Sequence, residues 1–127
     1  MKVIVHGCTG RMGQVIIDLC NKGFAGGSFA AGISPDVVKE EGVYHQTYAT
    51  SKEEADVVID FSFHTATRAL LDYCMERKLP VVVATTAHTP EEKAMIEEAS
   101  KVIPVFYTFN MSLGIAVLAD LAKRAAL

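Results

Sequence analysis

Short β-branched runs alternate along this chain with stretches whose apolar positions recur every three or four residues. The first kind of run suits buried strands, and the second suits amphipathic helices. Residues 2–6 (KVIVH) are the first predicted strand. A helix follows over 11–22, with Met12, Val15, Ile16, Leu19 and Cys20 as its inward stripe and Gly23 as its C-terminal stop. Residues 28–33 make a second strand that ends at Ser34-Pro35. The segment 36–50 is irregular apart from a short strand over 44–48, and Ser51-Lys52-Glu53-Glu54 has the spacing of a capping box that starts a brief helical turn. A third strand, 57–61, is continuous enough in its apolar residues to be buried on both faces. The helix over 65–77 turns Ala66, Ala69, Leu70, Tyr73 and Cys74 inward. Pro80 opens a fourth strand, 81–84. Thr89-Pro90-Glu91-Glu92 places a cap, a first-turn proline and the acid of a capping box in order, so a helix runs from there to about 101 with Met95, Ile96 and Ala99 inward. A fifth strand, 104–107, and a last helix, 112–126, complete the pattern.

Strands alternating in this way with helices predict an α/β, Rossmann-like fold: a parallel sheet with helices on both faces. The last helix departs from the pattern. Leu113, Ile115, Ala116, Val117, Leu118, Ala119, Leu121 and Ala122 leave it little polar face, so it is expected to pack on a part of the protein beyond residue 127 or on another chain.

Composition narrows the classes of function. A chain of 127 residues, 50% of them apolar, is one domain with a real core. The net charge of -3 is spread in both signs, which argues against nucleic acid as a partner. No apolar run nears the ~18 residues of a membrane span, and the first residues read as a strand, not a signal peptide. Cys8, Cys20 and Cys74 are odd in number, with the spacing of neither a zinc ribbon nor a redox pair, and are read as free thiols in a reducing cytoplasm. His6, His45, His64 and His88 are scattered, with no metal-ligand spacing, so no metal site is expected.

The candidate chemistry lies between the first strand and the first helix, in Gly7-Cys8-Thr9-Gly10-Arg11-Met12-Gly13. A helix start has unpaired N–H donors and partial positive charge, and therefore favours an anion such as a pyrophosphate. Glycines let the chain turn and let a phosphate approach the backbone, while Gly13 lets the helix pack closely on the sheet. The same loop is also readable as a purely structural turn. No Walker lysine followed by Ser or Thr is present, which disfavours an NTPase loop. At the end of the second strand, where an NAD-selective fold carries an acid for the ribose, stands Ser34. Serine can donate to a ribose and does not repel a 2′-phosphate, and Arg11 is a candidate partner for that phosphate. This favours NADPH, or use of both cofactors. The other reading of Ser34-Pro35 is a simple turn.

Four segments in sequence resemble a known family: Gly-x-x-Gly-Arg-Met-Gly after the first strand, Ile59-Asp60-Phe61-Ser62 after the third, Ala84-Thr85-Thr86 after the fourth, and Phe109-Asn110-Met111-Ser112-Leu113-Gly114 after the fifth. They are similar to the successive motifs of the dihydrodipicolinate reductases, and the likeness covers nearly the whole chain. The resemblance implies NADH- or NADPH-dependent reduction of a cyclic imine to tetrahydrodipicolinate, in lysine and diaminopimelate biosynthesis. It implies that the backbone of Gly7, Cys8, Thr9, Gly10, Arg11 and Met12 holds the pyrophosphate and that Ser34 stands at the ribose. Ala84, Thr85 and Thr86 would then border the nicotinamide, and Thr108, Phe109, Asn110 and Met111 would lie near it and near the domain hinge. Plainer readings stand beside these: Thr85-Thr86 as a polar turn, Asn110 as a helix cap, Asp60 as a structural acceptor, and Phe61 as core or cleft wall.

The chain departs from the family in three respects. Ser34 replaces the acid; Ala84 and Ala87 stand where glycine is frequent; and nothing matches the His-His-x-x-Lys and Ser-Gly-Thr segments of the family's second domain. No catalytic residue is therefore assigned. The expected division is 1–110 as the dinucleotide-binding domain and 111–127 as the start of a truncated substrate domain. The substrate, a small dicarboxylate imine, would need that missing domain, around which the family builds homotetramers. Alternatives are a stand-alone dinucleotide-sensing module or the cofactor domain of another Rossmann oxidoreductase. A short-chain dehydrogenase is disfavoured because no tyrosine has a lysine four residues on.

Overall fold

The computed structural model describes residues 1–108 and 111–125. Six strands form one sheet: β1 (Lys2–His6), β2 (Ser28–Ile33), β3 (Tyr44–His45), β4 (Val57–Asp60), β5 (Val81–Val83) and β6 (Val105–Tyr107). Four α-helices accompany them: α1 (Arg11–Asn21), α2 (Thr67–Arg77), α3 (Pro90–Ser100) and α4 (Leu113–Ala125). The strand order is β3-β2-β1-β4-β5-β6 and every pairing is parallel. The chain thus leaves β1 towards one edge, then returns to build β4 on β1's other side. That reversal opens a crevice at the carboxyl ends of the strands, where sheets of this type bind ligands.

Side-chain alternation divides the core between two faces. Ile4, Ile33, Val58, Val81 and Val83 pack with Leu70, Leu71, Tyr73 and Cys74 of α2 and with Ile96 and Ala99 of α3. Val3, Val5 and Val57 pack with Ile17 of α1 on the opposite face. In β2 the register against β1 shifts between Val3 and Ile4, so that Phe29 and Ala31, not Ala30, oppose consecutive β1 residues. Ala30 is the extra residue of a β-bulge.

Helix ends agree with the sequence reading. Thr89 Oγ1 accepts from the Glu92 N–H at 3.2 Å, and the Glu92 carboxylate accepts from the Thr89 N–H at 2.8 Å, closing the box at the start of α3. Gly23 follows α1 with φ +69°, the left-handed conformation that suits glycine at a helix stop.

Other expectations need correction. Residues 51–55 are not helical: the Ser51 hydroxyl donates to Glu53 Oε2 at 2.9 Å, while Glu53 Oε1 lies 2.9 Å from His45 Nε2. Ser51 is thus engaged by Glu53 and not by Glu54, the acid of the expected box, whose carboxylate lies 3.4 Å from Lys2 Nζ. The inward face of α1 is also different. Gly13 and Ile17 are buried; Ile16 and Cys20 are half-buried, and Met12, Val15 and Leu19 are exposed. The helix approaches through its glycine, which turns the large apolar stripe sideways. On α2, Thr67 and Leu71 are buried where Ala66 and Ala69 were expected, and on α3 Met95 is only half-buried. The 44–48 strand shortens to Tyr44–His45. In β4, Ile59 is half-buried instead of buried, because α1 and Val37 cover the β1 side of that face and the cover thins towards β5 and β6, where Val82 is half-buried and Phe106 exposed. On α4, Ile115, Val117, Leu118 and Leu121 are exposed, as its pattern implied.

Candidate dinucleotide site

The turn after β1 is tied to the neighbouring strand and is not free to roam. The N–H groups of Gly7 and Cys8 both donate to the Ile33 carbonyl, at 2.8 and 3.3 Å, and Gly10 N–H donates to the Gly7 carbonyl at 3.0 Å. Gly7 has φ +79°, and a Cβ there would sit 2.6 Å from the Phe61 carbonyl oxygen. Only glycine lets β1 turn this close to the end of β4. A Cβ on Gly13 would meet the Gly7 oxygen at 2.2 Å, so its close packing is on the loop itself, not on the sheet as expected from the motif. Gly32 lies beneath the loop in the same way: a Cβ there would be 2.8 Å from Cys8 Cβ.

The start of α1 contrasts with the start of α3. Gly10, its N-cap, has no side chain to offer, and the first turn contains no acid. The first amides of α1 are left without a side-chain acceptor. At α3 a threonine, a proline and two glutamates satisfy the same positions. The loop residues Thr9, Gly10, Arg11 and Met12 are exposed around this uncapped end, which is the form that a backbone cradle for a diphosphate takes. Cys8 is fully buried, its N–H is on the Ile33 carbonyl and its own carbonyl accepts from Gln14 Nε2 at 2.6 Å, and burial raises its thiol pKa above the ordinary value.

Ser34 is only 2% exposed. Its Oγ lies 2.8 Å from Thr9 Oγ1 and accepts from Asp36 N–H at 3.3 Å. The hydroxyl expected to face a ribose is turned inward and clasps the glycine loop to the end of β2. Asp36, exposed two residues further on, is the first carboxylate after that strand, and the sequence reading passed over it.

The carboxyl ends of β1, β4 and β5 meet at one buried carboxylate. Asp60 is 1% exposed and His6 3%. His6 Nδ1 lies 3.0 Å from Asp60 Oδ1, but off the line of an aligned hydrogen bond, so the contact is chiefly one of charge and dipole. Ser62 donates to Oδ1 through its N–H at 3.1 Å and its hydroxyl at 2.5 Å, and Thr85 Oγ1 donates to Oδ2 at 2.7 Å. Burial pushes the Asp60 carboxyl up; His6 and the two hydroxyls outweigh it and hold the group below the ordinary aspartate value. Asp60 is thus the acceptor that one of the sequence readings allowed. The His6 and Thr85 contacts around it had no signature in the chain.

The remaining expected residues divide. Ala84 is buried and its N–H donates to the Asp60 carbonyl at 3.0 Å. Thr85 is buried with its hydroxyl turned inward, and Thr86 is exposed at the crevice. Thr108 is half-buried, with its N–H on the Val83 carbonyl at 3.0 Å, and Met111 is exposed. Phe109 and Asn110 lie outside the described residues. A groove of about 420 Å³ lies between α2 and α3 and includes none of these positions.

The family described as "Dihydrodipicolinate reductase, N-terminus" matches residues 1–111. The chain belongs to this family. A 4-hydroxy-tetrahydrodipicolinate reductase from Caldanaerobacter subterraneus subsp. tengcongensis is 44% identical over 99% of the chain and 50% of its own length. Another, from Clostridium novyi, is 41% identical over 96% of the chain and 48% of its own length. The chain spans about half the length of the curated relatives it matches. Among solved structures, an oxidoreductase from Agrobacterium radiobacter in complex with NAD+, L-tartaric acid and magnesium superimposes with a TM-score of 0.66, at 19% identity over 84% of this chain and 34% of that one. That likeness shows the fold: the Rossmann-like architecture of the family. Among the described residues, no helix is long and apolar enough to cross a membrane.

Proposed function

We propose that this chain is the coenzyme-binding half of a 4-hydroxy-tetrahydrodipicolinate reductase and takes NADPH or NADH at the carboxyl ends of β1, β4 and β5. The observation that carries the reading is the uncapped, acid-free start of α1, wrapped by Gly7, Cys8, Thr9, Gly10, Arg11 and Met12 at the point where the sheet reverses direction. These residues fit a diphosphate. The amides of Gly7, Cys8 and Gly10 donate to backbone carbonyls and set the loop's shape, the glycines let it pack where a Cβ would collide with backbone, and the start of α1 that follows has no side-chain cap of its own. When bound, the coenzyme supplies a hydride. The work of this chain is to hold it: backbone amides at the diphosphate, Thr9 braced by Ser34, and the Ala84-Thr85-Thr86 turn, with Thr108 and Met111, along the nicotinamide end. Phe109 and Asn110 belong to the same proposed edge by their place in the motif.

Two features bear on coenzyme choice in opposite directions. Ser34 is uncharged and Arg11 is exposed nearby in sequence to the loop, which suits a 2′-phosphate. The Asp36 carboxylate beyond β2 suits free ribose hydroxyls. Both coenzymes therefore fall within the reading.

Residues 1–110 form the coenzyme domain in this proposal, and the segment from Met111 leads into the substrate domain of the complete enzyme. The dicarboxylate imine, its proton donor and a homotetrameric assembly belong to that further part. The setting is cytoplasmic, without nucleic acid or membrane as a partner. Titration calorimetry with NADPH and NADH tests the coenzyme site directly. Saturable heat with at least one, abolished by Gly13→Ala, is expected; absence of heat with both overturns the reading.

A further inference from the structure

Resting on that reading, we propose that Asp60 and Thr85 act as a positioning pair that fixes the nicotinamide end of the site independently of the diphosphate end. A carboxylate with 1% exposure is an unusual choice for a sheet interior otherwise built from Val57, Val58, Val81 and Val83. Desolvation of a charge is expensive, and an apolar residue of similar size would serve stability as well. What an apolar residue cannot do is accept three hydrogen bonds in fixed directions.

Those directions separate two loops. Oδ1 faces the Ser62 turn, which abuts the glycine loop: the atoms nearest a Cβ on Gly7 belong to Phe61 and Ser62. Oδ2 faces the turn after β5, where the Thr85 hydroxyl donates to it at 2.7 Å. The Asp60 carbonyl adds a second tie to that turn by accepting from Ala84 N–H. Beyond these two bonds the turn bends through Ala87 at φ +66°, a conformation that a non-glycine residue holds only under constraint from its surroundings. The far end of the turn is held by buried His88, whose Nδ1 lies 3.2 Å from Tyr107 Oη, and the Thr85 hydroxyl is the anchor of the near end, which keeps exposed Thr86 at the crevice. Its loss leaves the Ser62 side, and with it the glycine loop, in place.

ADP-ribose separates the two ends, because it carries the adenosine and the diphosphate but no nicotinamide. Thr85→Val keeps the shape and removes the hydroxyl. The variant is expected to bind NADH (or NADPH, whichever the parent chain prefers) about tenfold more weakly, the scale of one charge-assisted hydrogen bond. Its ADP-ribose affinity should stay within about twofold, since no adenosine or diphosphate contact is touched. Thr85→Ser, which keeps the donor, should restore the coenzyme affinity and guards against a packing effect of valine. Equal weakening of both ligands in Thr85→Val, no weakening of either, or failure of Thr85→Ser to restore binding overturns the positioning role while leaving the coenzyme reading intact. A parent chain that binds neither ligand overturns both.

Discussion

Gly13→Ala offers the sharpest test of the loop-and-helix geometry. The added methyl would lie 2.2 Å from the Gly7 oxygen and 2.9 Å from Cys8 Cα. An ordinary carbon–oxygen contact is longer by about 1 Å, and both obstacles are backbone, so no rotamer relieves the clash. Either α1 withdraws from the loop or the loop is pushed from its bonds to the Ile33 carbonyl. Overpacking of this kind costs about 1–3 kcal/mol, against which alanine returns about 0.8–1 kcal/mol of helix propensity. Gly23→Ala isolates the other contribution of a glycine. No atom lies within 4 Å of its Cβ, and only the left-handed backbone (φ +69°) opposes the change, at about 1 kcal/mol. Thermal unfolding followed by circular dichroism should show Gly13→Ala melting a few degrees lower, at about 3–5 °C per kcal/mol for a domain of this size. The diagnostic signal is the ligand response. NADPH or NADH should raise the melting temperature of the parent and of Gly23→Ala, but not of Gly13→Ala. A Gly13→Ala protein with the parent's full ligand-induced rise would show that the loop does not hold the diphosphate in the way argued.

Other expectations follow from single contacts. Thr89→Ala removes one half of the α3 capping box and should lower stability by about 1 kcal/mol, read as a shift in urea midpoint at unchanged slope. In native protein, a thiol reagent should leave Cys8 and Cys74 untouched and react only slowly with half-buried Cys20; burial first, and then the charge of Asp60, push the Cys74 thiol up to about 12. All three should react in denaturant, and rapid native labelling of Cys74 would contradict its burial. Asp60 is held below its unfolded value, so its contribution is present above the ordinary carboxyl range near about 4 and is lost as pH falls through the lowered value. Asp60→Asn should therefore flatten the acid limb of a stability–pH curve, and an unchanged limb would mean that the carboxylate is not the group titrating there.

Much of the fold could be read from the chain because its signals are local. A β-branched run followed by a glycine turn and an amphipathic helix needs no distant partner to be recognised, and Thr89-Pro90-Glu91-Glu92 satisfies its own helix start. The misreadings have tertiary causes. Ser51 and Glu54 have the spacing of a capping box, yet Ser51 bonds Glu53 instead, which His45 and Arg77 hold from outside the segment, and the Glu54 carboxylate lies 3.4 Å from Lys2 Nζ. On α1, a periodicity count gives weight to Met12, Val15 and Leu19 and none to Gly13, although close approach at the glycine is what orients the helix. In the site, backbone roles were legible from glycine spacing. The inward turn of Ser34 and Thr85 was not, since their partners, Thr9 and Asp60, are each 25 residues away in sequence. His6 stood in plain view as a strand residue, but nothing in the pattern paired it with Asp60.

The additional residue at Ala30 lies on the same face as Ala31, so the strand has regained its alternation before it reaches the loop above. Beyond it, Ala31 and Ile33 face α2 and α3, and Gly32 faces Cys8. Deleting Ala30 would leave Phe29 and Ala31 in plain alternation, still opposite Val3 and Ile4, so Ile33 would keep its face and Gly32 its place beneath Cys8. An irregularity one residue long is thus absorbed by two small side chains on one face near the foot of the sheet, and the headroom of the loop at the other end of the strand rests on Gly32 alone.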